Sequence, residues 1–177
     1  MGLWYTKDSG FKLTGFSDDH ARCQDSLKST SGRTQLLGEK MVSWSSKKQD
    51  CITLSTVEAE YVSLSACCAQ VLLMRTQLTN YGFHFNKVPS YCNSKSSIAI
   101  SCNPVQHSRT KHIVVRYHFI KEHVEKGTIE LYYVKIDYQL AKIFTKALQV
   151  DRFNYLVCHL GMRSWSPQEL ECLAKSQ

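Results

Sequence analysis

Glu58 and Glu60 stand at the start of the most strongly helical stretch of the chain, and Asp18 closes an earlier apolar run. These acids stand at the end where a strand should hand over to the helix. Geometry separates the two glutamates. Helical residues two apart point about 200° apart, so they cannot face one partner. Ser55 followed by Glu58 is a capping-box pair, which gives Glu58 a structural task. Glu60 precedes Tyr61 and falls nearer the packed face. Asp18 and Asp19 point to opposite faces of their strand, because side chains alternate. Other chemistries find less support. The eight cysteines form no CxxC pair. Several lie in apolar runs, which suits buried, reduced thiols in an intracellular protein better than disulfides or zinc. His107 and His112 are five apart, where a zinc pair on a helix wants four. They read as part of a basic segment.

The elements that must position these acids follow from periodicity. Val57, Tyr61, Leu64, Cys68, Val71, Leu72 and Leu78 recur at helical steps through residues 54–81, and Gly82 is a natural stop. Three short runs precede that helix, at residues 12–18, 30–37 and 41–45. Their short connections predict an antiparallel meander. After the helix come a strand at 88–92, a small helix at 95–101 and a break at Asn103 and Pro104. A helix at 111–126 follows, with Ile113, Tyr117, Ile120 and Val124 on one face. Next are a strand at 128–134, a helix at 137–146 capped by Asp137, and a last helix at 150–160. A polar, loose tail completes the chain. Strand, helix, strand in that order implies parallel crossovers beside the first strand. The fold class is therefore α/β, with a mixed five-stranded sheet flanked by helices.

Bulk properties narrow the function classes. A chain of 177 residues, 43% hydrophobic and 21% charged with three prolines and eight glycines, is one globular domain or one such domain with an extension, neither disordered nor fibrous. No apolar run reaches the length of a membrane span, and the N-terminus has no secretory signal. The net charge of +7 suits a polyanionic partner.

Gly15-Phe16-Ser17-Asp18, Ser43-Trp44-Ser45-Ser46-Lys47-Lys48-Gln49 and Glu58-Ala59-Glu60-Tyr61 resemble the ribonuclease H domain of copia-type retrotransposon Pol polyproteins. So do the segments at residues 28–32, 103–113 and 116–120, and Ile143-Phe144-Thr145-Lys146-Ala147-Leu148. Each is short, but seven in order cover nearly the whole chain. The resemblance implies a ribonuclease H-like domain at 11–162, a link from a reverse transcriptase-type domain at 1–10, and a tail at 163–177. Met1 then begins a fragment or a truncated reading frame. It implies hydrolysis of the RNA strand of an RNA–DNA hybrid during reverse transcription, with Mg2+ ions clamping the scissile phosphate. The implied partners are the hybrid and a reverse transcriptase domain of the same polyprotein. No membrane is involved, and the location is the cytoplasm, with virus-like particles or the nucleus as alternatives.

Carried over one by one, the four acidic site positions fall on Asp18, Glu60, Asn93 and Lys142. The last two depart from the family aspartate. An amide offers a carbonyl oxygen without charge, and an ammonium has no lone pair to give a metal. The local charge drops from four negatives to one, with Asp18 and Glu60 the remaining metal ligands. Lys142 is expected to pair with one of them, and Asp19 and Asp137 are the nearby candidates for rescue. One lost unit of attraction at 4 Å amounts to roughly 4 kcal/mol at an effective dielectric near 20. Lys47, Lys48, Arg109, Lys111, His112 and Arg116 are the candidate phosphate contacts, of the positioning kind. The sequence thus points to a hybrid nuclease domain with its activity lost or impaired. The rival readings are a live hydrolase with a rearranged shell, a non-catalytic nucleic-acid-binding or scaffold module, and a decaying element without a role.

Overall fold

The computed structural model describes residues 2–3, 10–20, 28–50, 52–53, 55–102, 114–163 and 166–175. Strand β1 (Gly2–Leu3) pairs antiparallel with β7 (Met162–Arg163), apart from the main sheet. The main sheet holds β2 (Leu13–His20), β3 (Thr30–Leu37), β4 (Lys40–Lys48), β5 (Val88–Cys92) and β6 (Ile129–Tyr133), in the order β4-β3-β2-β5-β6. β2, β3 and β4 form the expected antiparallel meander. β5 and β6 join parallel.

Helix α1 (Thr56–Asn80) carries the chain from the edge strand β4 across one face to β5, on the far side of β2. Ser55 Oγ accepts from the Glu58 amide at 3.2 Å, which supplies the N-cap. Gly82, at φ +86°, lets the last turn close with Phe83 N donating to Leu78 O at 3.0 Å. Tyr61, Leu64, Cys68 and Val71 of the predicted face are buried, and so are Ala59, Ser63, Ser65 and Cys67 on other sides of the helix. The sheet covers one side of α1, while α2 (Lys95–Cys102) and α3 (Val114–Glu125) cover another. One core cluster joins Tyr61, Leu64 and Cys68 to Cys92, Ile120 and Ile129. A second joins Leu13, Cys67, Val71 and Val88. By length and composition alone α1 could span a membrane, although half of its apolar window is buried inside the domain. Scanning for unbroken apolar runs missed this, because Ser, Thr and Gln are scattered along the helix.

The opposite face of the sheet carries Phe16, Tyr91 and Tyr132, stacked at 4.8 and 5.5 Å between ring centroids. It also receives two short 3-10 turns, Ile136–Tyr138 and Leu140–Phe144, where the sequence predicts one helix at 137–146. Gln139 divides them. Its backbone is extended, and its buried side chain donates to Ser17 O at 2.8 Å and accepts from Ala141 N at 3.3 Å. Tying that side chain to the end of β2 is incompatible with a continuous helix. Asp137 is exposed and caps nothing there: the turn starts from Lys135 without a side-chain cap bond. Helix α4 (Val150–His159) follows as predicted. The tail expected to be loose contains α5 (Pro167–Lys175), where Ser166 Oγ accepts from Glu169 N and the Glu169 carboxylate accepts from Ser166 N. That reciprocal capping box starts the helix.

Candidate functional site

Strand β2 delivers its two acids to opposite faces. Asp18 pairs in register with Gly32 and faces the 3-10 turns; Asp19 pairs with Ser31 and faces α1. A Cβ on Gly32 would lie 2.5 Å from Thr145 Cγ2 and 2.8 Å from Ala141 O, so glycine lets the Leu140–Phe144 turn settle against the sheet beside Asp18. Asp18 is only 2% exposed. Its Oδ2 accepts from Thr145 Oγ1 at 2.6 Å and its Oδ1 from Asn93 Nδ2 at 3.0 Å. Ser63 of α1 donates to the Asp18 carbonyl at 2.8 Å. Burial pushes the Asp18 carboxyl above its ordinary range, against the opposing pull of Thr145, Lys146, Lys142 and Asn93.

Asp19 and Glu60 meet on the other side. Their carboxyls share a hydrogen bond. Burial raises both, and Glu60 rises further because Asp19 adds a like charge and accepts its proton. Glu60 therefore holds the proton between them. Asp19, Glu60 and Asn93 line an open cleft of about 770 Å³ together with His20, Lys95 and Lys146. The ammonium of Lys95 lies 5.0 Å from the centre of the Tyr133 ring at its rim.

The structure thus brings Asp18, Glu60 and Asn93 together around the ends of β2, α1 and β5. It separates Asp18 from Glu60 by the plane of the strand. Lys142 lies in the Leu140–Phe144 turn on the Asp18 side, half-buried, and burial and neighbouring Lys146 lower its pKa. The expected pairing of Lys142 with Asp18 or Glu60 does not form: none of the ion pairs among the described residues involves them. The lysine whose charge acts on Asp18, Asp19 and Glu60 alike is Lys146.

Lys47, Lys48 and Arg116 converge on a separate groove of about 440 Å³ between β3, β4, α1 and α3. Arg33, which no sequence pattern singled out, lies in the same groove and donates to Ala66 O at 3.3 Å. Lys47 also pairs with Asp50 at 3.5 Å. Gln49 also lines this groove, donating to Ser31 Oγ and Ala59 O, each at 2.9 Å. Arg109, Lys111 and His112 lie outside the described residues. Sequence reasoning also missed Thr145, Lys146 and Gln139. Thr145 and Lys146 sit inside a matched segment, but their neighbour Lys142 drew the attention as the anomalous position.

Similar proteins fit this arrangement. No protein-family model matches the chain. The Retrovirus-related Pol polyprotein from transposon RE1 of Arabidopsis thaliana is 34% identical over 168 residues, 94% of this chain and 12% of the relative. That from transposon TNT 1-94 of Nicotiana tabacum is 34% identical over 153 residues, 86% of the chain and 12% of the relative. Among solved structures, the N-terminal RNase H domain of a Mycobacterium tuberculosis protein superposes with TM-score 0.55 at 13% identity, covering 84% of this chain and 98% of that one. LC11-RNase H1 in complex with an RNA/DNA hybrid gives 0.54 at 14% identity, covering 76% and 94%. A foamy virus protease-reverse transcriptase gives 0.53 at 14% identity, covering 91% and 22%. The fold is that of ribonuclease H. The chain belongs with the Pol polyproteins of copia-type retrotransposons, and spans about an eighth of the length of those relatives.

Proposed function

We propose that this domain binds RNA–DNA hybrid and cleaves it poorly or not at all. The observation that carries the impairment is the state of Asp18. Both its oxygens are engaged by Thr145 and Asn93, and the neighbouring site position is Lys142. Hydrolysis by a pair of Mg2+ ions needs carboxylates converging from several elements. Among the described residues no group of three or more His, Cys, Asp and Glu side chains is placed to hold a metal. A two-ion centre does not fit these residues, with two lysines beside three acids divided between two faces of a strand. The chain's own residues here bind and position: the groove, with Arg33, Lys47, Lys48 and Arg116, meets phosphates. That groove favours a second reading, a nucleic-acid-binding module in which cleavage plays no part. In either case the reverse transcriptase segment of a Pol polyprotein is the partner in the same chain.

A labelled RNA–DNA hybrid separates these readings. Binding should weaken steeply with salt, and cleavage in Mg2+ should stay near background. The double variant Asn93→Asp with Lys142→Asp should restore cleavage. Robust cleavage by the unaltered chain would overturn the impairment. A folded double variant without activity leaves the binding module as the function.

A further inference from the structure

The far end of α1 carries a polar pocket that belongs to neither the cleft nor the groove. It measures about 290 Å³. Arg75, Thr76, Thr79 and Asn80 line it from the helix, and His84 and Asn86 from the loop leading to β5. Arg75 is half-buried. Its Nε donates to Phe85 O at 2.6 Å, and no ion pair among the described residues involves it. A guanidinium has five N–H donors, so four remain for a ligand. A charge drawn out of water is ordinarily paired. No acid on this stretch supplies the pair, because no Asp or Glu occurs between Tyr61 and Lys87. Glu130, which meets the end of the loop, is held by Lys87 at 2.9 Å.

The pocket is held in shape from several sides. Phe83 stacks on Phe11 at 4.4 Å, and Arg75 grips Phe85 O, so both flanks of His84 are anchored. The Thr76 and Thr79 hydroxyls turn back onto the helix, donating to Leu72 O at 3.0 Å and Arg75 O at 2.8 Å. The helix-end carbonyls of Leu78 and Thr79 already accept from the amides of Tyr81, Gly82 and Phe83. They do not compete for Arg75.

We infer that this pocket binds a phosphate group, with Arg75 as its clamp and the exposed Asn80, His84 and Asn86 as further donors. A guanidinium fork matches two phosphate oxygens at once. A carboxylate would be filled by that fork alone, whereas the additional amide and ring N–H groups call for more acceptor oxygens. The phosphate can reach the pocket in two ways. Val62, Ala66 and Ala69 line the cationic groove, and the same stripe of α1 continues at helical steps through Leu73 to Thr76 and Asn80. Ala66 and Thr76 are about 15 Å apart along the axis, at 1.5 Å per residue. A strand leaving the groove along α1 would present a backbone phosphate here; a free phosphate would enter from solvent. The chemistry is shared, and the site stands without the hybrid reading.

Inorganic phosphate titrated into the full chain, with NMR following the side-chain N–H signals of Arg75, Asn80 and Asn86, tests the site. Saturable shifts at these residues are expected. Arg75→Lys should weaken binding at least threefold by removing the fork. Asn86→Asp should weaken it at least tenfold, since its carboxylate would pair with Arg75. Acetate should bind at least fivefold more weakly than phosphate. No saturable shift in the pocket, equal affinity in both variants, or equal affinity for acetate would overturn the inference. Melting temperatures confirm that the variants fold; should Asn86→Asp not fold, His84→Asp makes the same test from an exposed position. A labelled hybrid long enough to run from groove to pocket separates the sources. A salt slope flatter by about one in Arg75→Ala assigns the phosphate to the nucleic acid. An unchanged slope beside saturable phosphate binding assigns a free phosphate. Absence of hybrid binding beside saturable phosphate binding removes the functional reading and leaves the site.

Discussion

At the residue scale, the carboxyl pair of Asp19 and Glu60 sets a sign that stability should obey. Burial raises Glu60 above its ordinary range, so the folded chain holds a proton there that the unfolded chain releases. Stability from this group is complete below the ordinary carboxylate range and is lost as pH rises towards the raised value. Glu60→Gln keeps a donor for Asp19 and removes the ionisation. In metal-free buffer the variant should match the unaltered chain near pH 4 and exceed it by about 3 kcal/mol at neutral pH, since roughly 2.5 pH units lie between the ordinary carboxylate value and neutrality and each is worth about 1.4 kcal/mol. Denaturant melts across pH 4–8 check this; a constant difference between the two chains would contradict it. Thiols follow the same burial logic. Cys67 and Cys92 are each pushed up to about 12, mainly by burial, and Cys68 is also raised by it, whereas Cys102, Cys158 and Cys172 are exposed. A maleimide should label the exposed three in the native state at pH 8, and Cys67, Cys68 and Cys92 only after denaturation.

At the element scale, the strands were legible wherever alternation or a turn signal was strong. β3 and β5 fall on the predicted residues, and the start of α1 follows from Ser55 and Glu58. The segment at 137–146 was misread for a local reason. Leu140, Ile143, Phe144 and Ala147 have helical spacing, but the Gln139 side chain binds Ser17 O, far away in sequence, and that tertiary bond overrides propensity. The same blindness hid Thr145: nothing in its neighbours announces that it will donate to Asp18. The acids on β2 and α1 were found because carboxylates at element ends are visible in sequence; their donors lie on elements met only in the fold. Gly32 joins those elements. Gly32→Ala would drive a methyl group into Thr145 and the Ala141 carbonyl. Overpacking of this kind costs about 1–3 kcal/mol, so the melt should shift accordingly. Since the turn carries Thr145, Asp18 should lose a donor in the same variant. A neutral Gly32→Ala would show that the turn is not pressed against β3.

At the scale of the whole molecule, the net charge of +7 reaches both candidate surfaces: Lys95 and Lys146 face Asp19 and Glu60 in the cleft, while the groove gathers cations with fewer acids beside them. Arg33, Lys47, Lys48 and Arg116 surround the groove between the β3–β4 edge and the helices. A phosphate backbone drawn to that groove meets Arg33, Lys47, Lys48 and Arg116, none of which lines the cleft, so affinity should respond to their mutation independently of the acids. Counterion release makes each phosphate contact visible as a change in salt slope of about one. Arg33→Ala and Arg116→Ala should each lower hybrid affinity and flatten the slope by about that amount. Asp50→Asn should act in the opposite direction. It releases Lys47 from an exposed ion pair whose own contribution to stability is at most about 1 kcal/mol, so the fold should be unaffected while hybrid binding tightens. Fluorescence anisotropy with a labelled hybrid at several salt concentrations reads all three variants. Equal affinities and equal slopes throughout would place the nucleic acid on another surface of the domain.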